Sequence, residues 1–409
     1  MKIWIKLVIG TVAGILLGVF LPQTAKNSQL FSYLMELIIN IGRYIVMPMV
    51  FFSVAIGTYE LKQDGILFKT YVRIIIYLAL STALLTALGT FSVLAISPAR
   101  IPIIIEEEII YSLPSFKEVL LQIFPRNLFT IFTGESNFLF PLFFFALFLG
   151  LNFTFDRLVT KPAVQIFDSM SRIFYHINSF IVEVISIGIF AISAYFVMQI
   201  QGIEELVLYR QLIITLIIDS AVILFGLFPA LIYFLGKREN PYRWLYAVIA
   251  PAVVGFFSRD SYFSLSYLVK HGHENLGIPR KTGSASFSLF AMFGKAGTAL
   301  VTSVSFVIIL RSYSSLGIGI TQLLWVLSFT FLVSFILGSV PGMGAFVALS
   351  ILCTSYGTGV EEGYLIMKPI APLLISFSVF LDVVTSAFAS YLTAVQGDVE
   401  KQIEIRDFV

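Results

Sequence analysis

The chain has 409 residues, of which 58% are hydrophobic, 15% aromatic and 12% charged; a soluble globular chain carries about 25% charged residues, so this one has roughly half the charged surface that water requires. Its net charge of +2 gives no electrostatic basis for a nucleic-acid partner. A single cysteine, Cys353, excludes a disulfide framework and a thiolate metal cluster, and three histidines argue against a zinc enzyme.

The apolar residues come in runs close to the ~20 that a helix needs to cross the hydrocarbon core, so the sequence predicts a polytopic membrane protein. The first run, residues 3–21, is flanked by Lys2 and Lys6, has no small-residue cleavage site, and is expected to be a retained span. Residues 33–57 and 74–96 follow. An irregular stretch with Pro98, Pro102, Pro114 and the acidic run Glu106-Glu107-Glu108 is expected to be a solvated loop. Three further runs cover residues 137–153, 180–198 and 212–236. From there the pattern changes. An apolar run from Leu245 is broken at Ser258-Arg259-Asp260-Ser261 and resumes to Val269. Residues 284–310 are interrupted by Gly294-Lys295-Ala296-Gly297, and residues 321–356 by Gly338-Ser339-Val340-Pro341-Gly342-Met343-Gly344. The last run, from Tyr364 to about residue 396, contains Asp382.

Cytoplasmic loops carry the Lys/Arg excess. Basic clusters at Lys2/Lys6, Lys62/Lys69/Arg73, Arg157/Lys161, Lys237/Arg238/Arg243 and Lys270/Arg280/Lys281 place both termini in the cytoplasm. Residues 245–269 begin and end on the basic side and are expected to form a re-entrant hairpin. Residues 321–356 form a second one, entering from the opposite side. The expectation is an all-α fold of eight transmembrane helices and two opposed re-entrant hairpins. Non-helical backbone at membrane depth survives where protein or a water-filled cavity satisfies it. The hairpin tips, the broken span and the acidic last span are therefore expected to converge on one polar site, as in a secondary transporter with inverted repeats.

Five segments, taken in order, resemble the dicarboxylate/amino acid:cation symporter family, which has the glutamate-transporter fold. Arg43 to Gly57 (RYIVMPMVFFSVAIG) is similar to its "MPLVF" span, and Phe124-Pro125-Arg126-Asn127 to its "IPxNxF" entry. Glu274-Asn275-Leu276-Gly277-Ile278 resembles "ENLGV", Gly297-Thr298-Ala299-Leu300 the end of "NMDGTAL", and Val340-Pro341-Gly342-Met343-Gly344 the "GVPGAG" hairpin tip. The resemblance implies a homotrimer in the cell membrane, here a bacterial inner membrane. Residues 1–243 would be mostly scaffold, with spans three and six joining residues 244–409 in a moving transport unit. It implies a small-molecule substrate, an amino acid or dicarboxylate, no nucleic-acid partner, no enzymatic activity, and Na+ or H+ as coupling ion in place of a bound cofactor.

Carried over residue by residue, the resemblance assigns substrate binding to Arg259, Asp260, Ser261 and Tyr262 at the first tip, to Thr298, and to Val340, Pro341, Gly342 and Gly344 at the second tip. On the last span one alignment, which matches Gly397-Asp398 to the family's "TGD", assigns Ser390 and Ala394 and puts Ala387 at the amino-binding aspartate; the other assigns Asp382 to that role and loses the "TGD" match. Cation or coupling positions are Ser81, Thr82, Gly294, Lys295, Ala296 and Asp398, with Na+ at Asp398. The sequence departs from the family here: Gly294 and Ala296 stand where it has oxygen-bearing Asn and Asp, and the last span lacks its arginine, with Ser390 or Thr385 there according to alignment. Lys295 either snorkels or pairs with a structural carboxylate, or its ammonium substitutes for a bound cation. Asp382 is a proton carrier, a partner for Lys295, or a structural acid. Arg259 and Asp260 either neutralise each other, or Arg259 offers its guanidinium to an anionic group. Sodium-coupled symport, proton coupling, cation-independent exchange or uniport, and a transport-incompetent receptor or anion conductor on the same scaffold all stay open.

Overall fold

The computed structural model describes residues 2–102, 121, 124–133, 139–203, 206–236, 240–313, 318–337, 344–397, 403 and 408. Among these residues every regular element is helical. In chain order the helices are α1 (Ile3–Phe20), α2 (Ala25–Tyr44), α3 (Val46–Gln63), α4 (Leu67–Ile96), α5 (Phe140–Asn152), α6 (Arg157–Ile185), α7 (Ile189–Gln201) and α8 (Arg210–Ala221). They continue with α9 (Phe228–Leu235), α10 (Tyr242–Ser258), α11 (Ser261–Glu274), α12 (Arg280–Phe293), α13 (Ala296–Tyr313), α14 (Ile320–Ile336), α15 (Gly344–Tyr356) and α16 (Ala371–Val395). A π-helical turn, Val222–Leu227, joins α8 to α9, and a 3-10 segment, Gly363–Ile370, leads into α16.

Among the described residues six stretches are long and apolar enough to cross a membrane: Ile3–Phe20, Ala25–Gln63, Leu67–Ile96, Leu206–Leu235, Arg280–Tyr313 and Gly363–Val395. A seventh is the pair Leu158–Ile185 and Ile189–Gln201, bent by 57°. The chain is thus a multi-pass membrane protein. Where the sequence suggests one straight span over residues 180–198, the structure has this bend, made at Ser186-Ile187-Gly188 as Gly188 N–H turns to Ile185 O at 2.8 Å. α5, α10, α14 and α15 are shorter, at 13 to 17 residues. At 1.5 Å per residue they reach about 20–26 Å, less than the ~30 Å hydrocarbon core.

α10 and α11 pack as a hairpin around a two-residue turn in which Arg259 adopts a left-handed conformation (φ 57°). Asp260 caps α11, its Oδ1 accepting the N–H groups of Tyr262 at 2.9 Å and Phe263 at 2.7 Å. The turn between α14 and α15, with Val340, Pro341 and Gly342, lies outside the described residues, as does Asp398.

Burial sorts the helices. Of the most apolar stretch of Arg280–Tyr313, 94% is buried, and of Gly363–Val395, 83%, against 33% of α1. α13 and α16 therefore form the interior, with α4, α12 and α15 packed on α13 or α16. α1 shows an apolar face that includes Ile9, Val12, Leu16 and Phe20, which suits lipid. Its other face carries Gly10, Gly14 and Gly18, which meet α7 backbone to backbone: a Cβ on Gly14 would lie 2.2 Å from Phe190 O. Such a small-residue seam is how membrane helices approach closely without a hydrophobic driving force. α3, α5 and α6 interlock through rings, with Phe51 stacked on Phe145 at 5.6 Å and Phe52 on Phe174 at 5.4 Å.

Candidate functional site

The break between α12 and α13 builds the site. α12 ends where Gly294 N–H bonds Phe290 O at 2.8 Å, and a Cβ at Gly294 would lie 2.5 Å from that same oxygen. Lys295 follows in non-helical backbone and opens α13 by accepting Ala299 N–H at 2.8 Å. Released from the helix, its side chain crosses to the start of α11, where Nζ donates to Ser261 Oγ at 3.1 Å. Both Lys295 and its nearest carboxylate, Asp382 of α16, are buried. Nζ and Asp382 Oδ2 stand 3.9 Å apart.

Asp382 is held from the other side by α13. Its Oδ1 accepts Thr298 N–H at 2.9 Å and its Oδ2 the Thr298 hydroxyl at 2.7 Å. That geometry depends on Gly297, where a Cβ would lie 2.3 Å from Leu381 Cβ and 2.6 Å from Asp382 N. The carboxylate thus occupies the N-terminal end of α13, where free N–H groups and the helix dipole favour an anion. Two unit charges at this separation attract by about 4 kcal/mol at an effective dielectric near 20. Desolvation of both groups offsets much of that. The charges cancel, so the cluster is neutral as a unit.

Of the residues assigned by resemblance, Ser261, Lys295, Thr298 and Asp382 come together. Gly344 joins them, since a Cβ there would lie 3.4 Å from Thr298 Cγ2. The N-termini of α11, α13 and α15 therefore meet around one carboxylate and one ammonium. A cavity of about 10 Å³, near the space of one water, adjoins them between Ser261, Leu265, Phe290, Asp382 and Ser386.

Other positions lie apart. Asp260 makes an ion pair with Arg43 of α2 at 3.3 Å, so Arg259 and Asp260 do not neutralise each other. Arg43 also stands over the Tyr262 ring at 5.6 Å. Arg259 turns to Met35 Sδ at 3.8 Å and the Phe196 ring at 6.0 Å. Ser81 and Thr82 are buried on α4, each hydroxyl bonding Leu78 O of its own helix. Ser390 and Ala394 are fully buried two and three turns beyond Asp382, about 12 and 18 Å along α16. Ser390 Oγ has no hydrogen-bond partner among the described residues. Ala296 is buried directly after Lys295.

Sequence reading missed Ser386, which lines the cavity, and Arg73, whose Nη1 donates to Thr393 O at 3.3 Å near the end of α16. A cation at a helix C-terminus is favourable, yet no local pattern announces a partner 320 residues away.

The sequence profile of the sodium:dicarboxylate symporter family matches residues 3–395. The chain is 24% identical over 356 residues to the serine/threonine transporter SstT of Enterococcus faecalis, covering 86% of this chain and 81% of that protein. It is 20% identical over 360 residues to the proton/sodium-glutamate symport protein of Geobacillus stearothermophilus, covering 85% and 84%. Against the neutral amino acid transporter B(0) of Oryctolagus cuniculus it is 23% identical over 347 residues, covering 74% and 63%. With nearly the whole length matched, the chain belongs to the sodium:dicarboxylate symporter family, a family of membrane transporters rather than enzymes.

Proposed function

We propose that this chain is a secondary transporter of a small neutral amino acid, and that the Lys295 ammonium stands in for a coupling cation. The observation that carries this reading is the buried Lys295–Asp382–Thr298 cluster at the break before α13. A zwitterion is received there by exchange of partners. Its α-ammonium takes Asp382, and its carboxylate takes Lys295 and the free N–H groups at the neighbouring helix ends, so that no buried charge is left alone. The last span offers no guanidinium for a second carboxylate, since Ser390 and Thr385 stand at the candidate positions. This favours neutral solutes, in keeping with the names of two relatives, the serine/threonine and neutral amino acid transporters.

The architecture proposed for this transport has eight crossings and two re-entrant hairpins, α10–α11 and α14–α15. In it α4, α8–α9, the hairpins, α12–α13 and α16 move as one unit against α1–α3 and α5–α7, in an elevator-type alternation within a homotrimer. The deep burial of α13 and α16 beside the lipid-facing α1 supports that division. The basic clusters support an orientation with both termini inside, in a membrane that the bacterial relatives suggest is a bacterial cell membrane.

The test is solute-induced thermal stabilisation of the purified protein, because a ligand that binds the folded state alone raises its melting point. L-serine, L-threonine, L-glutamate, L-aspartate and succinate are compared in sodium and in potassium. The expected result is stabilisation by serine or threonine to the same extent in both salts. Stabilisation that requires sodium overturns the resident-cation reading, and stabilisation by succinate alone overturns the neutral-solute reading.

A further inference from the structure

Asp219 lies near the middle of the span Leu206–Leu235 and is 1% exposed. No part of the site above uses it. Its hydrogen-bond partner is Ser92 of α4, whose Oγ stands 2.8 Å from Asp219 Oδ2 and 3.0 Å from Gly89 O. A serine hydroxyl has one proton to give. Given to the carboxylate, it leaves Ser92 Oγ and Gly89 O as facing lone pairs, and an ionised carboxylate at mid-membrane with a single donor. Given to Gly89 O, it turns the 2.8 Å contact into a hydrogen bond when Asp219 is the acid and donates its own O–H to Ser92 Oγ. The neutral acid therefore satisfies both distances.

Among the described residues no cation pairs with the charged form. The titratable groups on the helices packed against α8 are Lys69, Tyr71, Arg73 and Tyr77 of α4, Arg311 and Tyr313 of α13, and Asp382 and Tyr391 of α16. Tyr233 lies on α9, Tyr209 and Arg210 at the start of α8, and Arg100 just beyond α4. None of these makes an ion pair or hydrogen bond with Asp219, whose side-chain partner among the described residues is Ser92. The π-helical turn Val222–Leu227 begins three residues later, with open space beside Gly226. Such turns are rare and recur at functional sites.

We propose that Asp219 is an exchangeable proton-binding site of the carrier. It is loaded as the neutral acid while Ser92 is packed against it, and unloaded when the unit that carries α4 and α8 together brings Asp219 to where water reaches it. On unloading the carboxyl O–H bond breaks, the proton passes to water and the carboxylate is left hydrated. This rests on the transport reading for its role in the cycle, while the proton site itself can be measured separately.

The experiment is infrared spectroscopy of the purified protein in lipid vesicles, following the C=O stretch of protonated carboxyl groups as pH is raised. Wild type is expected to show a band that Asp219→Asn lacks, that Ser92→Ala shifts, and that disappears reversibly at alkaline pH. Equal melting points for wild type and Asp219→Asn establish that the amide preserves the fold. In a second arm, uptake of L-serine is compared at about pH 6 and about pH 8. One titrating proton changes the loaded fraction by up to about tenfold per pH unit, so wild-type uptake is expected to change about tenfold or more across this range and uptake by Asp219→Asn by less than about twofold. A band identical in the two proteins overturns the proposal, as does one that persists at every pH at which the protein stays folded. A wild-type pH response in Asp219→Asn overturns it too. If wild-type vesicles take up no amino acid, the transport reading fails, and the infrared titration still decides whether Asp219 exchanges a proton.

Discussion

Lys295 and Asp382 are each visible in the sequence as a charge inside an apolar run, and the cost of such a charge in a membrane marks both as residues to account for. What the sequence does not contain is their geometry. Ser261 and Thr298 lie 34 and 84 positions from the groups they bind, and the approach that joins α13 to α16 depends on one missing Cβ at Gly297. Lys295→Ala removes the ammonium and leaves Asp382 buried with the Thr298 donors alone. Breaking a buried pair in this way costs about 3–5 kcal/mol at most, and the Thr298 bonds bring the expected loss below that. The variant is expected to melt lower, and sodium is expected to restore part of the difference by binding beside the carboxylate that has lost its ammonium. Melting curves with and without sodium check this; an unchanged melting point and sodium response mean that Lys295 is no resident cation.

At the scale of elements, polar residues and glycines inside apolar runs made the breaks legible. The interruptions at Ser258–Ser261 and Gly294–Gly297 are where the helices end, and the long apolar runs set six of the spans. The 57° bend between α6 and α7 was not legible, because its residues, Ser186-Ile187-Gly188, include no proline and the hydrophobic run continues through it. The π turn after α8 left no signal either, since an extra residue in one turn preserves composition. The spacing of Gly10, Gly14 and Gly18 states a contact face but not the partner. That seam makes a sharp prediction. Gly14→Leu forces a Cβ to within 2.2 Å of Phe190 O, a backbone atom that cannot rotate away. It is expected to destabilise the fold by about 1–3 kcal/mol, as overpacking does. Gly202→Ala, where the new Cβ has no atom within 3.4 Å, is expected to leave melting unchanged. Thermal unfolding of the two variants in one detergent checks the pair.

Across the whole molecule, α3 and α6 are tied to α11 and α12 by polar contacts at one end of the bundle. Lys281 pairs with Asp64, Arg280 with Asp168 at 3.3 Å, and Tyr175 donates to Glu274 at 2.9 Å. These would have to part if the inner helices travel against the outer ones. The two ion pairs are partly exposed and each is worth about 0.2–1 kcal/mol. The double variant Asp64→Asn/Asp168→Asn is thus expected to favour the parted arrangement by about twofold to thirtyfold. Faster hydrogen exchange along α11 and α12 would show it; exchange unchanged from wild type would mean that these contacts do not hold the two sets of helices in place.

The neutral pair in the interior has an electrical consequence. A carrier that returns across the membrane with an unbalanced carboxylate does work against the field, about 2.3 kcal/mol per elementary charge for each 100 mV. On the transport reading proposed above, the ammonium of Lys295 would travel with the carboxylate of Asp382, which it faces at 3.9 Å. On that reading this pair would add no charge to the empty carrier's return, and any voltage dependence would have to come from other groups, an unloaded Asp219 among them.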